Sequence, residues 1–191
     1  MVKPSRIAAI FARHVEAKGQ HKLSKGTADL PVDEKGARQA EEISERIARL
    51  RPTAVFSSPL QRALVPAQLT AQKAAVPLHV EQNLKPWDFG PKWTGKPAKE
   101  IEPKLRKLWK HPDAPTPGGQ SLNQFAGQSR QGISTALARG GGRPAVFTHS
   151  RNLRELPNAI YGTKLADPTK GGPEPGEFEL LTRKGQLVRG S

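Results

Sequence analysis

The chain contains no cysteine, so a disulfide framework, a thiol nucleophile and a cysteine-ligated metal site are all excluded. Aromatic residues supply only 5% of the 191 residues and apolar residues 35%. That is a modest stock for a core, although a chain of this length suits one domain with a substantial interior. Long hydrophobic runs are also missing. The longest near the N-terminus, IAAIFA at residues 7–12, is too short for a signal-peptide core or a membrane span, so the expectation is a soluble, unsecreted, cytoplasmic protein with no membrane partner. No internal repeat, extended linker or block of consecutive lysine and arginine occurs. The basic residues are nonetheless numerous: 31 against 17 acidic ones leave a formal charge of +14. Such a field attracts polyanions and admits phosphorylated metabolites, RNA, DNA and anionic surfaces without choosing among them. Eighteen glycines and eighteen prolines imply many turns around that core.

Residues 7–12 form a continuous apolar run, the pattern of a strand buried on both faces of a parallel sheet, and they deliver Arg13 and His14 to its carboxyl end. From 34 to 50, apolar positions recur at spacings of three and four, which predicts an amphipathic helix. A second buried strand over 53–57 follows, with Ser58 and Pro59 as cap and first-turn residue of a helix that carries Arg62 and that Pro66 kinks or shortens. A strand is expected within 76–84, and then an aromatic, glycine-rich loop over 86–95 whose rings need burial or a ligand. Helices are expected over 98–110, interrupted by Pro103, and over 121–139. A third buried strand, 145–148, delivers His149, followed by a helix over 153–161 that contains Pro157. A terminal hairpin at 177–182 and 186–189 closes the chain. Strands alternating with helices predict an α/β fold: a three-layer, doubly wound, mainly parallel sheet with helices on both faces. In such sheets the ligand site lies beyond the carboxyl ends of the strands.

Two histidines and two arginines therefore converge on one rim. Paired arginines hold the oxygens of a phosphate dianion, a neutral imidazole attacks phosphorus in line, and a second, protonated imidazole stabilises the equatorial oxygens. That set forms a phosphohistidine without a metal or other cofactor. The plainer alternative is two strand-capping histidines and two arginines paired with acids.

Arg13-His14-Val15-Glu16-Ala17 resembles the Arg-His-Gly-Glu-Thr signature of the histidine phosphatase (phosphoglycerate mutase-like) superfamily. The stretch from Asp29 to Gly36 is similar to its Asp-x-Pro-Leu-Thr-x-x-Gly, Gln39-Ala40 to its Gln-Ala, and Ser57-Ser58-Pro59-Leu60-Gln61-Arg62-Ala63 to its Ser-Ser-Pro-Leu-x-Arg-Ala. Phe89-Gly90 with Trp93 and Gly95, then Pro117-Gly118-Gly119-Gln120-Ser121, then Val146-Phe147-Thr148-His149 continue the resemblance in the family's order, over roughly residues 7–161. The resemblance implies His14 as nucleophile, with Arg13, Arg62 and His149 forming the phosphoryl pocket.

Three departures stand out. Val15 replaces a glycine, which suggests a tighter or less well formed loop after His14. The family's general acid falls on Pro86, which cannot donate a proton; Asp88 is the nearest replacement, with a loop-capping role as its alternative and Glu16 and Glu100 as weaker substitutes. Ser150, Arg151 and Asn152 follow His149 where glycine is usual, and Arg151 is a further candidate phosphate contact. Lys18, Gln20 and His21 sit in a loop expected near a bound phosphate, and Trp87, Phe89 and Trp93 pack the loop or stack on substrate.

The resulting expectation is one domain over 1–191, with a lid or insertion at 85–119 where specificity resides, hydrolysing small phosphomonoesters through a phosphohistidine. A mutase fits less well, because the acid needed for two-way transfer is missing. The alternative from another class is an inactive relative that uses the basic pocket to bind phosphorylated ligands or nucleic acid. A plain nucleic-acid module lacks any interleaved stripe of aromatic and basic residues.

Overall fold

The computed structural model describes residues 3–19, 23–167, 169 and 171–190; Gln20 and His21 lie outside them. Strand β1 (Ile7–Arg13) buries five of its seven residues. Strands β2 (Val55–Ser57) and β4 (Ala145–Thr148) are buried throughout, as continuous apolar strands between two helical layers should be. With β3 (Leu78–Val80), β5 (Phe178–Thr182) and β6 (Leu187–Arg189) they form one sheet in the order β3-β2-β4-β1-β5-β6. Strands β1 to β4 pair in parallel, and the terminal hairpin adds β5 and β6 antiparallel.

Helices cover both faces. On one, Ala40, Ile43 and Ile47 of α1 (Glu34–Arg49) and Ala63, Ala67 and Ala71 of α2 (Gln61–Ala74) pack on Ile10, Ala12, Val55 and Phe147. On the other, Ile133 and Ala136 of α4 (Leu122–Arg139), Leu153 of α5 (Ser150–Arg154) and Leu156 of α6 (Leu156–Tyr161) pack on Phe11, Phe56 and Val146. Burying each large apolar side chain contributes about 1.5–3 kcal/mol, so the α/β three-layer arrangement follows from where these residues fall. None of the described helices is long and apolar enough to cross a membrane.

Several local expectations are corrected. Ser58 does not cap α2. The helix begins at Gln61 with Leu60 as N-cap, and the Gln61 N–H is satisfied from outside by the Asp29 carboxylate at 2.7 Å. Neither Pro66 nor Pro103 breaks its helix: α2 runs through the first and α3 (Ala98–Trp109) through the second. The roughly 3 kcal/mol cost of an interior proline is offset by burial of Pro66 itself in α2 and of Ile101 and Leu105 on α3. The single helix expected over 153–161 is two helices meeting at Glu155, with Pro157 in the first turn of α6, where its missing N–H costs nothing. The strand expected within 76–84 is only three residues long and gives way to a 3₁₀ turn, Gln82–Leu84.

A third apolar cluster stands beside the sheet. Trp87 and Phe89 pack on Ile101 and Leu105 of α3 and on Leu122 and Phe125 at the start of α4. Trp87 meets Phe125 at 5.9 Å and Phe89 edge-on at 5.4 Å, and its ring N–H donates to the Gln120 carbonyl at 2.9 Å. Of the two roles open to Trp87, burial is the one observed.

Candidate active site

The parallel register sets Arg13 opposite Thr148 and Ser57 opposite Phe147, so the chain leaves the sheet at one end with His14, Ser58 and His149 side by side. The His14 N–H donates to the Thr148 carbonyl at 2.8 Å and the Val15 N–H to the Arg62 carbonyl at 3.0 Å. These bonds fix the two histidine-bearing ends and α2 to one another. The rings of His14 and His149 stand 5.1 Å apart, centroid to centroid.

The loop after His14 is braced on its other side. The Glu16 N–H donates to Gln39 Oε1 at 2.9 Å, and Gln39 Nε2 donates to the Pro175 carbonyl at 3.2 Å. Gly36, whose N–H is capped by Asp33 at 2.8 Å, lies so close that a Cβ there would sit 2.0 Å from the Glu16 carbonyl oxygen. Val15 does not loosen this loop. Its φ is not positive, so it bears none of the strain a glycine would relieve, and its side chain is buried in the core beside α1 and α2.

His14 Nδ1 lies 2.7 Å from the Val15 carbonyl oxygen. A carbonyl only accepts, so Nδ1 carries the proton and Nε2 keeps its lone pair. Burial first, then the charges of Arg62 and Arg13, hold His14 well below the usual histidine range, which leaves the ring neutral at pH 7. His149 is depressed in the same direction, by burial first and then by Arg62. Its Nε2 is 2.9 Å from Ser58 Oγ, while its Nδ1 is buried with no hydrogen-bond partner among the described residues.

Arg62 is buried and donates from Nη1 to the Ala28 carbonyl at 2.7 Å and from Nη2 to that of Gly26 at 3.1 Å. Arg13 donates to the Pro173 carbonyl at 2.8 Å and meets Glu174 at 3.6 Å. The Nε atoms of Arg13, Arg62 and Arg151 are all buried without a partner among the described residues. A guanidinium that can use only part of its donor fork is suited to an incoming oxyanion.

Arg13, His14, Arg62, His149 and Arg151 line one cavity of about 360 Å³, together with Pro86, Trp87 and Phe89. Asp88 is not among its lining residues. Its carboxylate accepts from the Gly90 N–H at 2.8 Å, so it caps the turn that carries Phe89, the alternative role expected for it, and the structure does not bring it into the cavity lining with His14 and His149. Glu16 and Glu100 do not line the cavity either. Glu16 is ion-paired with Lys35 at 2.7 Å. Glu102 of α3 does line it, with Oε1 accepting from Arg106 at 3.1 Å. Lys18 is also outside the lining. Among the described residues no group of three or more histidine, aspartate or glutamate side chains gathers as a metal site would require.

Sequence reasoning missed Lys25, Arg154 and Ser58. Lys25 lines the cavity and is pulled down to about 8, first by burial and then by Arg62. Since it is charged below that value and neutral above it, anion affinity should fall as pH rises through 8. Calorimetric titration with inorganic phosphate from pH 7.5 to 9.5 is expected to show a several-fold rise in Kd for the native chain and a flat profile for Lys25→Met. A pH-independent native affinity would contradict this placement.

A family model described as the histidine phosphatase superfamily (branch 1) matches residues 9–187. Among curated relatives, the probable phosphoglycerate mutase GpmB of Salmonella paratyphi C is 27% identical over 158 residues, 80% of this chain and 74% of the relative. The protein of that name from Cronobacter sakazakii matches to the same extent. Among solved structures, mycobacterial glucosyl-3-phosphoglycerate phosphatase is similar with a TM-score of 0.77 at 21% identity, covering 91% of this chain and 89% of its own. The alpha-ribazole phosphatase from Shigella flexneri has a TM-score of 0.79 at 18% identity, with 96% of each chain covered. At those identities the structures establish the shared fold.

Proposed function

Because the chain belongs to the histidine phosphatase superfamily, we propose that it hydrolyses small phosphomonoesters through a phosphohistidine on His14, without a metal ion. The observation that carries this reading is the convergence of a neutral His14, its Nε2 lone pair free, with His149 and the partly unsatisfied guanidiniums of Arg13 and Arg62 in one cavity. The arginines neutralise the phosphoryl oxygens, so the anion no longer repels the imidazole. His14 Nε2 attacks phosphorus while the ester oxygen departs in line, and the Val15 carbonyl holds the Nδ1 proton as the ring becomes cationic. With Ser58 donating to His149 Nε2, His149 Nδ1 carries a proton and donates to an equatorial oxygen. Water then attacks the phosphohistidine and returns His14.

Hydrolysis is favoured over mutase transfer by what faces the leaving oxygen. Pro86 lines the cavity, Asp88 is committed to its turn, and the Glu102 carboxylate is engaged by Arg106. General acid catalysis is worth roughly 10²–10⁴-fold. Its lack makes the reaction depend steeply on how well the leaving group departs as an anion. In the presence of EDTA, p-nitrophenyl phosphate should be turned over at least about 10²-fold faster than an alkyl phosphate of similar size, and Asp88→Asn should change that rate less than about threefold. No turnover of any phosphomonoester, or a large loss in Asp88→Asn, would overturn this account.

A further inference from the structure

The cavity carries more positive charge than one phosphoryl group needs. Arg13, Lys25, Arg62, Arg151 and Arg154 all line it, and Glu102 is the one carboxylate among its described lining residues. A phosphomonoester dianion bound at His14 would leave cationic charge over, and that surplus is concentrated at one place. Arg151 and Arg154 both come from α5, one helical turn apart, so they present neighbouring side chains to the same end of the cavity. Arg154 is partly engaged: its Nε donates to the Gly171 carbonyl at 2.6 Å, and burial holds its pKa below the usual arginine value while Asp167, Glu102 and Glu174 act in the opposite direction. It adds to the local potential. Arg151 is different. Its guanidinium lies 4.8 Å above the Phe89 ring centroid, and its Nε is buried with no hydrogen-bond partner among the described residues.

A buried guanidinium N–H normally finds an acceptor, because leaving it unpaired away from water is costly. Here the aromatic face holds the group in place while leaving donors for a ligand. Phe89 is itself fixed by Trp87 and by the turn that Asp88 caps, so the guanidinium is supported before any ligand arrives. Pre-organisation of that kind lowers the cost of binding.

Resting on the phosphoryl pocket proposed above, we propose that the cavity is a two-anion site. The phosphoryl group occupies the His14 end, and a second anionic group on the same small molecule, a carboxylate or a phosphate, is taken by Arg151 with Arg154 beside it. Arg151 is thus a specificity-determining residue, and substrates with two anionic groups are the preferred class. The Glu102 carboxylate lines the same cavity and is hydrogen-bonded to Arg106.

Non-hydrolysable phosphonates test this separately from turnover. Calorimetry on the full chain at pH 7 would compare phosphonoacetate, 3-phosphonopropionate and 4-phosphonobutyrate with alkylphosphonates of matching length, and methylenediphosphonate with methylphosphonate. At least one doubly anionic ligand should bind the native chain about tenfold or more tightly than its singly anionic counterpart, as a charge-assisted contact would give. The better series tells whether the subsite takes carboxylate or phosphate. In Arg151→Met, with folding checked by thermal unfolding, the ratio should fall below about threefold, and Arg151→Lys should restore part of it. Equal affinities for each matched pair, or an undiminished ratio in Arg151→Met, would overturn the two-anion site even if the phosphatase activity is found. Discrimination that depends on Arg151 in a protein without turnover would uphold the site and overturn the phosphatase reading.

Discussion

Replacing His14 with alanine is expected to lower kcat for p-nitrophenyl phosphate by about 10⁴-fold or more, the scale seen when a covalent nucleophile is removed. The lone pair that attacks phosphorus belongs to a ring whose tautomer is set by the Val15 carbonyl, and among the described residues His149 is the one other histidine lining the cavity. His149→Ala should cost less, about 10²–10³-fold, the scale for removing one donor that stabilises a developing charge. The acid side of the pH profile carries the same argument. Burial and two arginines hold His14 well below its ordinary range, so the nucleophile stays neutral through pH 6.5, and kcat/KM should not show a limb at that value. The converse holds for stability. Below pH 6.5 the unfolded chain takes up protons that the buried rings resist, so the fold weakens as pH falls from there toward the lower native values. A His14→Ala protein that retains native activity would remove the mechanism altogether.

The second large effect is on stability. Trp87 is fully buried, contacts Phe89 and Phe125, and satisfies the Gln120 carbonyl. Trp87→Ala should cost about 3–5 kcal/mol through the lost contacts and the cavity left behind, seen as a fall of roughly 10 °C or more in Tm. Affinity for doubly anionic phosphonates should weaken as well, because Phe89 and through it Arg151 lose their support. A Trp87→Ala protein with an unchanged melting temperature would show that this cluster does not anchor the loop beside the cavity.

The central site was legible because its determinants are local. Continuous apolar runs ending in Arg13-His14 and in His149, together with Arg62 just inside α2, define one rim once the sheet is parallel, and the strand registers follow from burial on both faces. Asp88 was ambiguous for an equally local reason. An aspartate two residues before a glycine serves as readily for capping a turn as for catalysis, and nothing in sequence spacing says which way the carboxylate faces. Lys25 and Arg154 reach the cavity from a loop and from the second turn of a short helix, placements set by long-range packing that leave no periodic trace. The helix start at Gln61 was hidden likewise, since its external cap, Asp29, lies 32 residues earlier in the chain. The prolines at 66 and 103 show tertiary burial overriding a local preference.

The account rests most heavily on a covalent phosphoryl group at His14, and trapping it is the most direct test. The native chain would be mixed with p-nitrophenyl phosphate, quenched in alkali within milliseconds to seconds, and mapped by mass spectrometry under conditions that preserve phosphohistidine. The account predicts a phosphoryl group on His14 that is stable in alkali, lost in acid, and absent from His14→Ala. Turnover without any phosphoenzyme, or a phosphoryl group on another residue, would contradict it.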